Sequence, residues 1–153
     1  MTMKIGLIGT GRLGICFALL LEKAGYKVLA ADARRDYIEG LQNKKITTAE
    51  PGVDVLLENS KNIEFTTNNE RVILESDVIF TLVATPSLED GSYDVSNVED
   101  VVSDFMRLGW KTTGPNGSGL TGKSLVVGCT TNPGDCEQFQ KRLEIGGVGV
   151  YYN

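Results

Sequence analysis

Short, almost wholly apolar runs alternate along the chain with segments whose apolar residues recur at helical spacing. The apolar runs predict strands at 4–8, 27–31, 63–66, 78–83, 125–129 and 148–151, and the helical spacing predicts helices at 13–24, 36–43, 53–59, 69–75, 96–108 and 135–143. Parallel strands are connected through crossovers, and strands that are apolar on both faces must be covered on both. The alternation therefore predicts a single doubly wound α/β domain with a parallel sheet.

Local signals set the ends and faces of several predicted helices. Gly25 is predicted to end the first helix as a left-handed cap. Ser96 is the predicted N-cap of the fifth helix, with Glu99 three residues later. The stretch 111–123 breaks the pattern and is rich in Gly and Pro, so it is predicted to be a flexible surface loop. Apolar spacing predicts one buried stripe on the first helix, made of Leu13, Cys16, Phe17, Leu20, Leu21 and Ala24.

Composition excludes several classes of protein. Hydrophobic residues make up 41% and charged residues 23% of the chain, which fits a globular domain and argues against disorder. The formal net charge is −5 and the basic residues are scattered, so no nucleic-acid partner is expected. No apolar run reaches the roughly 18 residues that a membrane span needs, and the N-terminus has no cleavage-site pattern, so a cytoplasmic protein without a membrane partner is expected.

Cysteine and histidine usage limits the chemistry further. The three cysteines, Cys16, Cys129 and Cys136, are odd in number and lack metal-ligand spacing, so neither a disulfide framework nor a metal site is predicted. The chain contains no histidine, the commonest general base. Cys16 is expected in the core, whereas Cys129 ends a strand where ligands gather and is expected to line a ligand site without acting as a nucleophile.

Residues 9–14, with the sequence Gly9-Thr10-Gly11-Arg12-Leu13-Gly14, form a G-x-G-x-x-G pattern between the first predicted strand and helix. This is the context of the dinucleotide fingerprint. Gly9 would permit the tight turn, Gly11 would let the backbone approach the pyrophosphate, and Gly14 would let the helix pack close to the strand. The helix N-terminus would then face the phosphates. A glycine-rich turn without a ligand is the alternative.

Asp32 follows the second predicted strand and is the expected partner of the adenosine ribose. A carboxylate at this point accepts hydrogen bonds from both ribose hydroxyls and repels a 2′-phosphate, which favours NAD over NADP. Arg34 and Arg35 complicate this reading, because arginines just beyond this strand are what NADP enzymes use. Alternatively, the two arginines form the solvent-exposed start of a helix and stack loosely on the adenine.

A second glycine-rich pattern matches a nucleotide-binding motif in spacing but not in structural context. Residues 117–124 match the Walker A spacing G-x-x-x-x-G-K-S. In nucleotide-hydrolysing enzymes that pattern follows a strand and begins a helix, but here it precedes a predicted strand. A loop without nucleotide is therefore expected.

Several further fragments follow the fingerprint and Asp32 along the chain. They are Glu50-Pro51-Gly52, Phe65-Thr66-Thr67-Asn68, Val83-Ala84-Thr85-Pro86-Ser87, the 90–96 stretch D-G-S-Y-D-V-S and the 127–134 stretch V-G-C-T-T-N-P-G. In order and spacing, these fragments resemble the UDP-glucose/GDP-mannose dehydrogenase family of nucleotide-sugar 6-dehydrogenases. The 127–134 stretch is similar to the S-T-V-P-P-G segment of that family. The chain departs from the family by having Arg12-Leu13 for Tyr-Val, Asn68 for Asp, Cys129 for Ser and Thr131-Asn132 for Val-Pro.

The resemblance implies NAD as cofactor and assigns further residues to its site. It implies that Val83, Ala84, Thr85 and Pro86 border the nicotinamide ribose. It places Thr130 at the active-site end of the cofactor, where it would help to position a water molecule. Tyr37 stands where the family often has a basic residue, so Arg34 or Arg35 is expected to take over that role on the adenosine side.

The resemblance also implies an activity and an architecture. The activity is a twofold oxidation at the sugar C6, from alcohol to aldehyde to carboxylate, through a cysteine-bound intermediate and with two NAD reduced. The family's catalytic glutamate, assisting lysine, nucleophilic cysteine, central dimerisation helix and sugar-nucleotide domain would all come after Asn153. Residues 1–153 are therefore expected to be a truncated NAD-binding domain that binds NAD without turnover and is monomeric, whereas the intact protein would be a homo-oligomer.

The sugar stays open within this family. UDP-glucose is the expected substrate, and GDP-mannose and UDP-N-acetylmannosamine are the alternatives. A stand-alone NAD-binding or interaction module is a further, non-enzymatic reading.

Overall fold

The structure is a computed structural model that describes residues 3–113 and 119–153. Its strands are β1 (Lys4–Ile8), β2 (Lys27–Ala31), β3 (Ile63–Thr66), β4 (Val78–Thr81), β5 (Ser124–Val127) and β6 (Gly149–Tyr152). Its helices are α1 (Arg12–Lys23), α2 (Arg35–Gln42), α3 (Val53–Asn59), α4 (Asn69–Glu75), α5 (Ser96–Thr113) and α6 (Asp135–Leu143), and a short 3-10 helix at Glu144–Gly146 follows α6.

The strands form one parallel sheet in the order β3-β2-β1-β4-β5-β6. At the carboxyl end of β1, Ile8 lies opposite Ala31 of β2 on one side and Thr81 of β4 on the other. The strand order therefore runs outward in both directions from a switch point between β1 and β4. Crevices at such points hold the ligands of doubly wound sheets. The predicted α/β fold is confirmed.

Two separate apolar clusters fill the two faces of the sheet. One cluster packs α4, α5 and α6 against it, with Phe105 and Phe139 among its largest buried side chains. The other packs α1, α2 and α3 against the opposite face around Leu7, Leu19 and Leu57. Helices on both faces are what the apolar strands require.

The predicted buried stripe of α1 is only partly confirmed. Leu13 is 66% exposed and Leu20 is 57% exposed, whereas Cys16, Phe17 and Leu21 are partly buried and pack against the core cluster on that face of the sheet. The face that packs on the sheet is made of Gly14, Ile15, Ala18 and Leu19. Gly14 and Ala18 have almost no side chain, so α1 can approach the sheet closely along that face. Gly25, with a φ of 96°, does end the helix as predicted.

The fifth helix is longer than predicted and starts differently. It continues to Thr113, so the predicted loop is wrong for residues 111–113; residues 114–118 of that loop lie outside the described part of the chain. Ser96 is the first residue of α5 rather than its N-cap, and its backbone N–H donates to Oδ1 of Asp94. Glu99 forms an ion pair with Arg142 of α6 instead of closing a capping box.

Over residues 3–113 and 119–153, no helix is both long and apolar enough to span a bilayer. Within the same ranges, no three acidic, cysteine or histidine side chains are grouped as a metal site would require.

Candidate cofactor-binding site

An open cleft of about 750 Å³ lies at the switch point between β1 and β4. The glycine loop forms one wall, and the segments that follow β2 and β4 form the floor and sides. Nine of the residues predicted for the cofactor site line this cleft: Gly9, Gly11, Arg12, Leu13, Gly14, Asp32, Arg34, Val83 and Ala84.

The three glycines of the loop stand in different surroundings. Gly9 has a φ of +95°, and a Cβ there would lie 2.7 Å from the carbonyl group of Leu82. A Cβ on Gly14 would lie 2.2 Å from the carbonyl oxygen of Gly9, so only glycine fits. A Cβ on Gly11 would meet nothing within 4 Å. The fold therefore requires Gly9 and Gly14, whereas the empty space at Gly11 leaves room for a ligand against the backbone.

The N-terminus of α1 faces the cleft without a built-in anion. Gly11 is the N-cap residue in an extended conformation and provides no side-chain cap, and the first turn contains no acidic residue. The free N–H groups and the partial positive charge of a helix N-terminus bind phosphate oxygens. This wall of the cleft is therefore suited to a pyrophosphate.

Asp32 is tied to the glycine loop from the end of β2. Its side chain is 10% exposed, and its Oδ2 accepts a hydrogen bond from the backbone N–H of Thr10 at 3.1 Å. Thr10 itself is fully buried and its hydroxyl donates to the carbonyl oxygen of Ala31 at 2.8 Å. The hydroxyl of Thr10 thus fixes the glycine loop to the end of β2, while the carboxylate of Asp32 lines the cleft.

Arg34 covers the carboxylate of Asp32. Its Nε donates to Oδ1 at 2.8 Å and its Nη2 donates to Oδ2 at 2.9 Å, while its guanidinium lies 4.3 Å from the ring centre of Tyr37. Burial by itself raises the pKa of Asp32, but the hydrogen bonds from Arg34 and Thr10 outweigh burial and hold that pKa below its ordinary value. Arg35 points elsewhere, toward a groove that it lines with Gln42 and Thr67.

Sequence reasoning missed the opposite wall of the cleft. Thr67, Asn69, Asn97 and Asp100 line it from the starts of α4 and α5. The side-chain amide of Asn97 donates to the carbonyl oxygen of Ala84 at 2.8 Å and so fixes the segment after β4. Asn69, Asn97 and Asp100 reach the cleft only through the packing of α4 and α5, so no local pattern marks them. Thr67 lies between β3 and α4, in one of the fragments on which the family resemblance rests.

The remaining predicted residues lie on the loops beside the cleft rather than in its lining. Thr85 and Pro86 follow β4, and Cys129 and Thr130 follow β5. Cys129 packs against the cluster formed by α4, α5 and α6, and burial raises its pKa to about 11. A thiol with that pKa is protonated near neutral pH, so Cys129 is not an activated nucleophile.

The Walker-like stretch has its lysine engaged elsewhere. Nζ of Lys123 donates to the carbonyl oxygens of Leu74 and Ser76, at the end of α4. The next residue, Ser124, begins β5 rather than a helix. The part of this stretch within the described residues therefore has neither the free lysine nor the helix N-terminus of a phosphate-binding loop, as expected from the sequence.

Comparison with known proteins identifies relatives. Residues 3–145 match the model of the UDP-glucose/GDP-mannose dehydrogenase family, NAD binding domain. The chain is 31% identical to GDP-mannose 6-dehydrogenase of Pseudomonas aeruginosa over 102 residues, which cover 65% of this chain and 23% of that protein. It is 29% identical to UDP-glucose 6-dehydrogenase TuaD of Bacillus subtilis over 152 residues, which cover 97% of this chain and 31% of that protein.

A solved structure agrees with these relatives. A ternary complex of GDP-mannose dehydrogenase from Pseudomonas aeruginosa superposes with a TM-score of 0.82 and 26% sequence identity, over 99% of this chain and 36% of that one. The chain thus spans about a third or less of the length of the relatives named here. Because the family model covers nearly all of it, the chain belongs to the UDP-glucose/GDP-mannose dehydrogenase family and corresponds to its NAD-binding domain.

Proposed function

We propose that the cleft holds NAD with its pyrophosphate on the N-terminus of α1, its adenosine ribose at Asp32 and its nicotinamide end on the β4 and β5 side. The observation that carries this orientation is the contrast within the glycine loop. A Cβ is excluded by the protein itself at Gly9 and Gly14 but meets only open space at Gly11. Asp32 stands on the β2 side of that space, which leaves the opposite side of the switch point for the nicotinamide.

The chain's own residues have binding and orienting roles in this proposal. Backbone N–H groups at the start of α1, beside Gly11, donate hydrogen bonds to the pyrophosphate, and the carboxylate of Asp32 accepts hydrogen bonds from the ribose. Asn97 fixes the carbonyl of Ala84 beside the cleft. Thr130 would help to position a water molecule at the active-site end. When bound, NAD supplies a hydride acceptor for the oxidation of an alcohol.

For the protein that carries this domain we propose oxidation of UDP-glucose to UDP-glucuronate with two NAD. The similarity to UDP-glucose 6-dehydrogenase TuaD over nearly the whole chain supports this substrate. GDP-mannose is the second candidate, because the chain is 31% identical to a GDP-mannose 6-dehydrogenase. In this proposal the cleft binds the cofactor and not the sugar, so either substrate is compatible with the same NAD site.

Calorimetric titration of the purified chain with NAD, up to millimolar concentration, tests the cofactor proposal. We expect saturable binding of one NAD. A well-folded chain that releases no heat of binding at these concentrations contradicts the proposal. The same chain mixed with NAD and UDP-glucose is expected to produce no NADH absorbance at 340 nm, because the family resemblance assigns the catalytic glutamate, the assisting lysine and the nucleophilic cysteine to none of its residues.

The substrate is tested on the intact gene product purified from its native host. We expect NADH formation with UDP-glucose, two NADH per sugar, and no comparable rate with GDP-mannose or UDP-N-acetylmannosamine. A preference for either of the latter sugars would reassign the substrate but leave the cofactor site unchanged. Absence of turnover with all three sugars would favour the stand-alone module.

A further inference from the structure

Asn132 joins the two loops that follow β4 and β5. Its Oδ1 accepts a hydrogen bond from the backbone N–H of Tyr93 at 2.8 Å, and its Nδ2 donates to the carbonyl oxygen of Tyr93 at 2.9 Å. One side-chain amide thus satisfies both backbone groups of a residue 39 positions away. This is the pairing that a neighbouring strand would otherwise provide.

The orientation of this amide is fixed from its other side. Oδ2 of Asp135, in the first turn of α6, accepts from both the backbone N–H and the Nδ2 of Asn132, at 2.8 Å and 3.0 Å. A carboxylate can only accept here, so the amide nitrogen must face Asp135 and the amide oxygen must face Tyr93. The amide is therefore anchored to α6, which is packed on the sheet through Phe139.

Tyr93 passes this restraint on to the segment after β4. It forms an isolated antiparallel bridge with Ser87, and the backbone N–H of the next residue, Asp94, donates to the carbonyl oxygen of Pro86 at 2.9 Å. The hairpin-like loop 86–94 is thus closed on itself and attached to α6 through Asn132. The other end of the segment is held at Ala84 by Asn97.

We propose that Asn132 is a positioning residue that fixes the 84–87 segment against the loop after β5, and thereby shapes the surface for the nicotinamide end of the dinucleotide. This inference rests on the proposed orientation of NAD. Asn132 follows β5, and β4 separates β5 from the ends of β1 and β2 that carry Gly11 and Asp32. The expected effect of Asn132 is therefore confined to the nicotinamide and its ribose, which are the half of NAD that ADP lacks.

The test compares NAD with ADP as ligands of the full 153-residue chain, by calorimetry. Wild type is expected to bind NAD more tightly than ADP. In Asn132→Ala, two hydrogen bonds to the backbone of Tyr93 are lost, so we expect the affinity for NAD to fall about fivefold or more while the affinity for ADP stays within about twofold of wild type. Asn59→Ala is the matched control, because it removes an amide that donates to the carbonyl oxygen of Val55 within α3, and it should change neither value.

A second pair of variants separates positioning from general loss of folding. Asn132→Asp keeps the acceptor for Tyr93 but loses the donor and sets a second carboxylate beside Asp135, so it should lose the nicotinamide contribution as Asn132→Ala does. Adding Asp135→Asn restores one amide and one carboxylate to this pair, and should recover part of the difference between NAD and ADP. A purely structural defect would lower both affinities together and would not be rescued.

The outcomes are distinct. If wild type binds neither ligand, the proposed function fails and this inference fails with it. If wild type binds both ligands equally, or if Asn132→Ala keeps the wild-type preference for NAD, the cofactor proposal stands and the role of Asn132 is overturned. Equal losses for both ligands in Asn132→Ala, without rescue in the double variant, also overturn it.

Discussion

The side chain of Arg34 donates hydrogen bonds to both carboxylate oxygens of Asp32, with Nε 2.8 Å from Oδ1 and Nη2 2.9 Å from Oδ2. The backbone N–H groups of Arg34 and Thr10 donate to the same two oxygens. A carboxylate has about four acceptor positions, so these donors occupy all of them. Two ribose hydroxyls can bond to Asp32 only after the side chain of Arg34, which is 60% exposed, has moved away.

Arg34→Ala is therefore expected to tighten NAD binding. The variant removes an ion pair that must break before the ribose can bind, and exposed ion pairs are worth about 0.2 to 1 kcal/mol. The dissociation constant for NAD should fall by about 1.4-fold to fivefold, as measured by calorimetry at constant ionic strength. An increase in that constant would instead mean that Arg34 holds the cofactor directly.

Asp32→Ala provides the opposite change and shows whether the ribose lies at this carboxylate. It should weaken NAD binding by about 1 to 3 kcal/mol through lost charge-assisted hydrogen bonds. Arg35→Ala is the matched arginine control, because Arg35 lines a neighbouring groove with Glu39 and Gln42 rather than the cleft, and it should leave the dissociation constant unchanged.

The same carboxylate predicts how stability depends on pH. The pKa of Asp32 is lower in the folded chain than its ordinary value, since the bonds from Arg34 and Thr10 outweigh the effect of burial. Its contribution to the free energy of unfolding is thus fully present above the unfolded-state pKa of about 3.9 and is lost as the pH falls through the folded-state pKa. In urea titrations, wild type should exceed Asp32→Asn in stability at neutral pH, and the gap should narrow below about pH 4. A gap that stays constant down to the acid limit would contradict the assigned cause.

Much of the fold could be predicted because its signals are local. The bounds of α3, β3, α4 and α6 are those that apolar runs and turn residues indicate. The packing face of α1 could not be predicted from the strongest apolar spacing, because Gly14 and Ala18 bring this helix close to the sheet while Leu13 and Leu20 stay exposed. Glycine and alanine contribute little to a hydrophobicity pattern, so the pattern does not reveal a helix face that packs closely because its side chains are small.

The site likewise contains some residues that a local sequence signal marks and others that no local signal marks. The glycine loop and Asp32 could be found in the sequence, because one turn and the end of the next strand contain them. Asn97 and Asn132 could not, because their partners are backbone groups of Ala84 and Tyr93, 13 and 39 positions away. A side chain that supports a distant loop leaves no spacing pattern that a single sequence can reveal.

Two glycines of the loop should respond in opposite ways to the same added methyl group. Gly14→Ala puts a Cβ 2.2 Å from the carbonyl oxygen of Gly9, so it should cost about 3 kcal/mol or more of stability. Gly11→Ala meets open space, so it should change stability by no more than about 1 kcal/mol yet weaken NAD binding about tenfold or more by blocking the pyrophosphate. Thermal melts and calorimetry separate the two effects. Normal NAD affinity in Gly11→Ala would contradict the placement of the pyrophosphate.

Lys123 is expected to matter for stability and not for nucleotide binding. Its Nζ bonds two carbonyl oxygens at the end of α4, so Lys123→Met should lower the free energy of unfolding by about 1 to 3 kcal/mol. Lys111→Met is the control, because the Lys111 amine is 3.9 Å from Glu70 at the surface and should contribute almost nothing. Weaker NAD or ATP binding in Lys123→Met, at full stability, would revive the Walker-like reading.

Cys129 is expected to react slowly with thiol reagents despite its place beside the cofactor site. Burial raises its pKa to about 11, so only about one thiol in a thousand is ionised at pH 8. Iodoacetamide should therefore modify it about a hundredfold more slowly in the folded chain than in urea, where an ordinary cysteine has a pKa near 8.5. Peptide mass spectrometry over a time course measures both rates, and the unfolded sample controls for the reagent.

Rapid modification of folded Cys129 at pH 8 would mean that its thiolate is stabilised by a neighbour, and the thiol would then become a candidate nucleophile. With the expected slow reaction, Cys129→Ser should leave NAD affinity unchanged, since Cys129 packs against the apolar cluster of α4, α5 and α6 rather than lining the cleft.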